Sequence, residues 1–200
     1  VRRVPAQIAA RLPAAAELFA DRGLEDTKVE DIASATGVPK ATLYYYFAGK
    51  EEILAFLFQD ALQQMADEVT MAVQAPDSAA TRLTAVVQAQ LRVMADQPAV
   101  CRALVGNLGR AGRIPEIATA ITEAYYTPVQ HLLEEGVRDG SLRATEDPVT
   151  TAMVLFGAVT MSALSYLATD RPLSPESLSP SILTVVLDGL LPPDSAPQES

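Results

Sequence analysis

The chain is 200 residues long and 49% hydrophobic, enough for one large domain or two modest ones whose core needs no disulfides. A single cysteine, Cys101, excludes an intrachain disulfide framework and a multi-cysteine zinc site, and with one histidine, His131, a metal centre would have to be built from carboxylates; no metal or cofactor is expected. The net charge of -10, taken as an average, argues against a phosphate-rich partner.

That average conceals an asymmetry. Residues 1–50 hold seven basic and six acidic groups, a net of +1, and include all three lysines, Lys28, Lys40 and Lys50. The other 150 residues hold 8 basic and 19 acidic groups, a net of -11. Such a split points to two segments with different partners.

In chain order, apolar residues recur at spacings of three and four, and no run alternates as a half-buried strand would, so the fold class is all-α. About nine helices are expected, near 5–22, 29–35, 39–46, 50–74, 78–95, 98–109, 115–138, 147–169 and 175–190. Pro13 predicts a kink in the first segment or a fresh start after a short turn. The GNLGRAGR stretch reads as a helix end and turn, because its glycine spacing fits no nucleotide fingerprint and no strand precedes it. The Pro/Ser-rich tail 192–200 is expected to be disordered. Nothing at the N-terminus reads as a secretion signal.

Residues 148–169 contain no charge and are long enough to cross a bilayer. Asp147 and Asp170 at the two ends, with Thr and Ser in the body, favour a helix buried in protein. Small residues at Ala152, Gly157, Ala158, Ser162 and Ala163 permit close helix–helix approach.

The informative stretch lies between Leu12 and Leu57. Leu12, Ala15, Ala16 and Phe19 form one apolar stripe that ends at Gly23, a natural helix stop. Thr27 and Glu30 have the spacing of a capping box, and Val29, Ile32 and Ala33 face inward from the short helix it would open. Gly37 supplies a tight turn, and Pro39 suits the first turn of a third helix. A short helix, a glycine turn and another short helix make a helix-turn-helix. In the third helix Leu43 and Phe47 define the inner face, so Ala41, Thr42 and Tyr45 point away from it, Tyr44 and Tyr46 flank it, and Lys40 sits at its N-terminal end. An exposed row of Lys, Thr and Tyr suits the major groove, where Lys bonds guanine, Thr bonds or touches thymine methyl, and Tyr hydroxyls reach phosphate. Thr27, Lys28 and Lys50, at helix N-termini, are expected to clamp phosphates on either side.

These residues, in AAELFADRG, TKVEDIASATGV, KATLYYYF and GKEEIL, resemble the N-terminal domain of the TetR (tetracycline repressor) family of transcriptional regulators over about residues 10–57. The resemblance implies that Lys40, Ala41, Thr42 and Tyr45 face the bases while Thr27, Lys28, Tyr44, Tyr46 and Lys50 hold the backbone of double-stranded operator DNA. It implies a helix-turn-helix DNA-binding domain at 1–50 and an all-helical effector-binding and dimerisation domain at 51–191. It further implies a cytoplasmic homodimeric repressor, without enzymatic activity or a membrane partner, that is released by a small, largely apolar effector.

For the remaining sites the expectations are residue by residue. The ligand pocket is expected among Phe58, Leu62, Met65, Leu91, Met94, Leu104, Leu108, Tyr125 and Met153, with Tyr125, Tyr126, Asn107, Arg102 or His131 as polar handles. The seam between copies is expected at Leu155, Val159, Ser162, Tyr166, Val186 and Leu190. Cys101 reads as a small core residue. The alternative function is a helical interaction or membrane-associated module without ligand-controlled DNA binding.

Overall fold

The computed structural model describes residues 3–106, 115–169, 173–188 and 190. The described residues are helical, with no strand among them. Eleven α-helices are labelled here in chain order: α1 (Ala6–Ala9), α2 (Ala14–Asp26), α3 (Val29–Thr36), α4 (Lys40–Tyr46), α5 (Lys50–Val73), α6 (Ala79–Asp96), α7 (Pro98–Gly106), α8 (Pro115–Ile121), α9 (Thr127–Asp139), α10 (Pro148–Leu167) and α11 (Pro175–Asp188). A π-helical turn, Thr122–Tyr126, runs directly into α9. Two differences from the expected nine helices have local causes. The segment near 5–22 is split because the chain turns after Ala9 and restarts after Pro13. The segment near 115–138 is one path interrupted by the π turn. Leu108, Asn107, most of the GNLGRAGR stretch and the tail 192–200 lie outside the described residues.

The chain forms two compact units, residues 1–62 with 97–120, and residues 63–96 with 121–200. In the first, the stripe Leu12, Ala15, Ala16 and Phe19 is buried as its spacing requires, and α2 packs on both α3 and α7. Ile32 and Val29 of α3 and Leu43 of α4 are buried as well. Arg102 of α7 donates from Nη2 to Glu17 Oε2 at 2.6 Å, tying α7 to α2, so the guanidinium expected in a ligand pocket is committed here.

The second unit is built on α6, which packs against α9, α10 and α11. Its core joins Met65, Val69, Val86, Tyr125, Val129 and Leu155 among others. Helix α10 opens on Asp147, whose carboxylate accepts from the backbone N–H of Val149 (3.0 Å) and Thr150 (3.2 Å) and from the Thr150 hydroxyl. The Thr150 hydroxyl, then the two backbone N–H groups, hold the Asp147 carboxyl below its ordinary range. A carboxyl with a depressed folded-state pKa stabilises above its unfolded value and loses that contribution as pH falls through the folded one. Asp147→Asn is therefore expected to lower the melting temperature at pH 7 and to lose most of that effect near pH 2. Thermal melts at the two pH values check this, and an equal effect at both would refute it.

Helix α10 is the uncharged segment of the sequence, with a mean hydropathy of 1.5 in its most apolar window. Only 28% of that window is buried. Ala152, Leu155, Val159 and Ala163 face the core, while Met153 (47% exposed), Val154 (63%) and Met161 (57%) lie on the surface.

Candidate nucleic-acid interface

The reading helix is short because the sequence makes it so. Pro39 stands at its entry, extended at φ -56° and ψ 138°, its carbonyl accepting from the N–H groups of Thr42 (2.8 Å) and Leu43 (3.0 Å), and Phe47 leaves the helix in extended backbone. Leu43 and Phe47, four apart, are 1% and 4% exposed and anchor one face. Phe47 meets Phe56 of α5 edge-on, with ring centroids 5.7 Å apart. The opposite face is thereby presented outward: Lys40, Ala41, Tyr44 and Tyr45 are exposed, and Thr42 and Tyr46 half-buried. Tyr45 and Tyr46 stack edge-on at 4.9 Å.

The turn before this helix depends on Gly37, which follows α3 with φ +63°. A side chain there would be strained, and its Cβ would fall 2.2 Å from Arg11 Nη2. That nitrogen donates to the Gly37 carbonyl at 2.7 Å, so Arg11 stitches the start of the chain to the turn.

Two cations of this face, Lys40 and Lys50, are already engaged. The Lys40 ammonium pairs with Glu30 of α3 and lies 5.7 Å from the centre of the Tyr44 ring. This pairing holds the Lys40 pKa up and the Glu30 pKa down, both groups being exposed. An exposed ion pair of this kind is worth little and opens readily for a phosphate or base. Lys50 Nζ donates to the Glu25 carbonyl at 2.7 Å, which places it beside the loop that leads into α3. Lys28 is exposed and occupies the cap position of α3.

Thr27 does not fit the expectation. It is 0% exposed, and its hydroxyl donates to the carbonyls of Gly23 (2.7 Å) and Leu18 (3.3 Å). Gly23, at φ +74° and ψ 173°, breaks α2, and the Thr27 hydroxyl satisfies the carbonyls that the break leaves over. The side chain is thus a structural plug and not a phosphate ligand. The capping box is not formed either, since α3 has no side-chain cap and Glu30 turns to Lys40.

The expected pocket residues scatter in their surroundings. Phe58, Leu62, Met65, Leu91, Met94 and Tyr125 are buried, and Leu104 is half-buried. Met153 is corrected: at 47% exposed it faces outward from α10. A cleft of about 500 Å³ in the second unit is lined instead by Thr70, Gln74, Arg82, Thr127, His131 and Glu135 among others. His131 is the expected polar handle that reaches it. Arg82 crosses this cleft, donating to the Val73 carbonyl (2.8 Å) and to Glu135 Oε2 (2.6 Å). Cys101 is half-buried and burial pushes its thiol up to about 12, which leaves it in the unreactive protonated form.

The residues expected at the seam divide between the core and the surface. Leu155, Val159 and Leu190 point into the core of their own chain. Ser162, Tyr166 and Val186 line a groove of about 410 Å³ between α10 and α11, beside Ile182 and the 78% exposed Val185.

Two families of known sequence match the chain. Residues 12–56 match the family described as bacterial regulatory proteins, tetR family, and residues 76–190 match the tetracyclin repressor-like C-terminal domain. The transcriptional repressor KstR2 of Rhodococcus jostii is 31% identical over 192 residues, covering 91% of this chain and 90% of its own. The fatty acid metabolism regulator protein of Bacillus subtilis is 25% identical over 182 residues, covering 90% and 93%. The structure of the regulator FadR from Bacillus subtilis in complex with stearoyl-CoA superposes with a TM-score of 0.75 at 23% identity, covering 90% of this chain and 97% of that one. These relatives are transcriptional regulators, and the interaction-module or membrane alternative is not favoured. With a helix-turn-helix whose outer face is exposed and a matching C-terminal domain, the chain belongs to the tetR family of bacterial regulatory proteins and is a DNA-binding transcriptional repressor.

Proposed function

We propose that two copies of this chain bind a pseudo-palindromic operator, each placing α4 in one major groove, and that an effector with a long apolar body releases them. The observation that carries this reading is the outward row Lys40, Ala41, Tyr44 and Tyr45, with Thr42 beside it, set on a buried Leu43–Phe47 anchor. Lys40, Ala41, Thr42 and Tyr45 read bases, and Lys28, Tyr44, Tyr46 and Lys50 hold phosphates. Residues 1–50 do this work, and 51–191 bind the effector and the second copy. The protein acts in the cytoplasm without turnover or cofactor.

The likeness to a regulator bound to stearoyl-CoA supports an acyl thioester as the effector class. Release follows if the effector prefers a conformation in which the two recognition helices are wrongly spaced. Helix α5 is the natural lever, since residues 50–62 belong to the first unit and 63–73 to the second.

Lys50→Ala is expected to weaken binding to operator and scrambled duplex alike and to lower the salt slope by about one. Thr42→Ala is expected to cost about 1–3 kcal/mol on operator only, relaxing base preference at one position. Gel shifts on both duplexes at two salt concentrations check the pair. Unchanged affinity in both variants would remove α4 and Lys50 from the interface.

A further inference from the structure

Three buried side-chain polar atoms of the second unit lack a hydrogen-bond partner among the described residues. One is Nε of Arg82, whose two other guanidinium nitrogens are engaged by Val73 and Glu135; the other two, on fully buried residues, are the Tyr125 hydroxyl and the Gln90 side-chain oxygen Oε1. Buried polar groups in folded proteins are almost always paired, and one left unpaired costs more than a typical hydrogen bond contributes. Neither can be dismissed as a reversed amide or a loose side chain. Gln90 Nε2 donates to the Phe156 carbonyl (3.1 Å) and to Thr160 Oγ1 (2.9 Å), and turning the amide over would set oxygen against that carbonyl. The Tyr125 ring is held edge-on to Phe156 at 5.0 Å, and Tyr126 packs on the same ring at 5.5 Å. Phe156 thus touches both side chains, its carbonyl accepting from Gln90 and its ring meeting that of Tyr125. Tyr125 also stands in the π-helical turn Thr122–Tyr126, a rare distortion that concentrates at functional sites.

We infer that Tyr125 and Gln90 form the interior subsite that receives the polar part of the effector, and that this part is neutral and carries both a hydrogen-bond donor and an acceptor. The inference rests on the reading that an apolar effector enters the second unit. Gln90 Oε1 can only accept, so the ligand must bring an N–H or O–H to it. The Tyr125 hydroxyl, kept protonated because burial raises its pKa, donates to a carbonyl or hydroxyl. A carboxylate satisfies only one of the two, and the cluster that holds Tyr125, with Val86, Val129, Leu132 and Leu155 among its members, is apolar. Amides and alcohols on an apolar chain fit, as does a thioester whose carrier bears an amide.

The test uses the full chain and Tyr125→Phe, which removes one oxygen and keeps the ring. Decanamide, decanol and decanoate are titrated by calorimetry, and operator release by stearoyl-CoA is followed by gel shift. Wild type is expected to bind decanamide and decanol at least tenfold more tightly than decanoate. Tyr125→Phe is expected to weaken decanamide and decanol about fivefold to tenfold, while the ligand-free variant melts at a higher temperature because an unpaired hydroxyl is gone. Equal affinity for decanoate and decanamide, unchanged affinity in the variant, or a lower ligand-free melting temperature each overturns the subsite. If stearoyl-CoA releases operator equally from both proteins, the effector reading stands and the subsite falls. If stearoyl-CoA releases neither while decanamide binding depends on Tyr125, the subsite stands and the acyl thioester reading falls.

Discussion

Val185→Asp is expected to turn the protein into a monomer and to lower operator affinity by about a hundredfold or more. Val185 is 78% exposed, and Val154 and Met161 of α10 are exposed as well. The groove between α10 and α11 adds Ala158, Ser162, Tyr166 and Ile182. A large apolar face of this kind, on helices that already bury their other sides in the core, is stable in water only when covered. Under the proposed binding of two copies to a pseudo-palindromic operator, the second copy is the cover. A carboxylate placed at such a seam loses its water and meets an identical charge across a two-fold axis. Two half-sites engaged by one dimer gain about 10²–10⁴ in avidity through effective concentration, and a monomer forfeits that gain. Sedimentation velocity gives the oligomeric state and gel shifts give the affinity. A Val185→Asp protein that stays dimeric and binds operator as wild type would refute the seam.

Phe19→Ala is the second large effect, and it falls on the other unit. Phe19 is 1% exposed and is the largest member of the stripe that packs α2 on α3 and α7. Truncating a buried phenylalanine leaves a cavity and costs about 3–5 kcal/mol. That is a large fraction of the stability of a typical domain. Helix α4, the proposed recognition element, has only seven residues and its shape is borrowed from the helices beneath it, so operator binding is expected to fail as the unit loosens. Urea denaturation followed by circular dichroism checks the loss, and a change below about 1 kcal/mol would show that Phe19 is not a keystone.

Much of the first unit is legible in its residues. The stripe from Leu12 to Phe19, the positive-φ turn at Gly37 and the Leu43–Phe47 anchor are all local patterns, and each element forms as its spacing predicts. The reading face follows from the same arithmetic, because a helix with two anchored residues has only one remaining outward side. Thr27 was not legible. Its position suits a capping box, but the break at Gly23 supplies stronger claimants for the hydroxyl than the N-terminus of α3 does. Lys40 likewise reads as a free cation, and its partner Glu30 comes from the preceding helix, across the turn.

The second unit was harder for a different reason. Helix α10 is apolar nearly all round, so periodicity gives no contrast between its faces, and Leu155 and Val159 could not be told from Val154 and Met161 by pattern. Gln90 has no signal at all in the sequence, since a glutamine on an amphipathic helix is ordinarily solvated; only the approach of Phe156 and Thr160, 66 and 70 residues later, makes it a buried polar group with one atom to spare. The helical class, the division of charge between a weakly basic and an acidic part, and the outward face of α4 are written in the order of the amino acids, because those depend on neighbours within a turn or two. Tertiary structure alone decided which side of α10 is left for a partner, where Thr27 spends its hydroxyl and which polar atoms are stranded in the core, because burial and pairing are set by residues far apart in the chain.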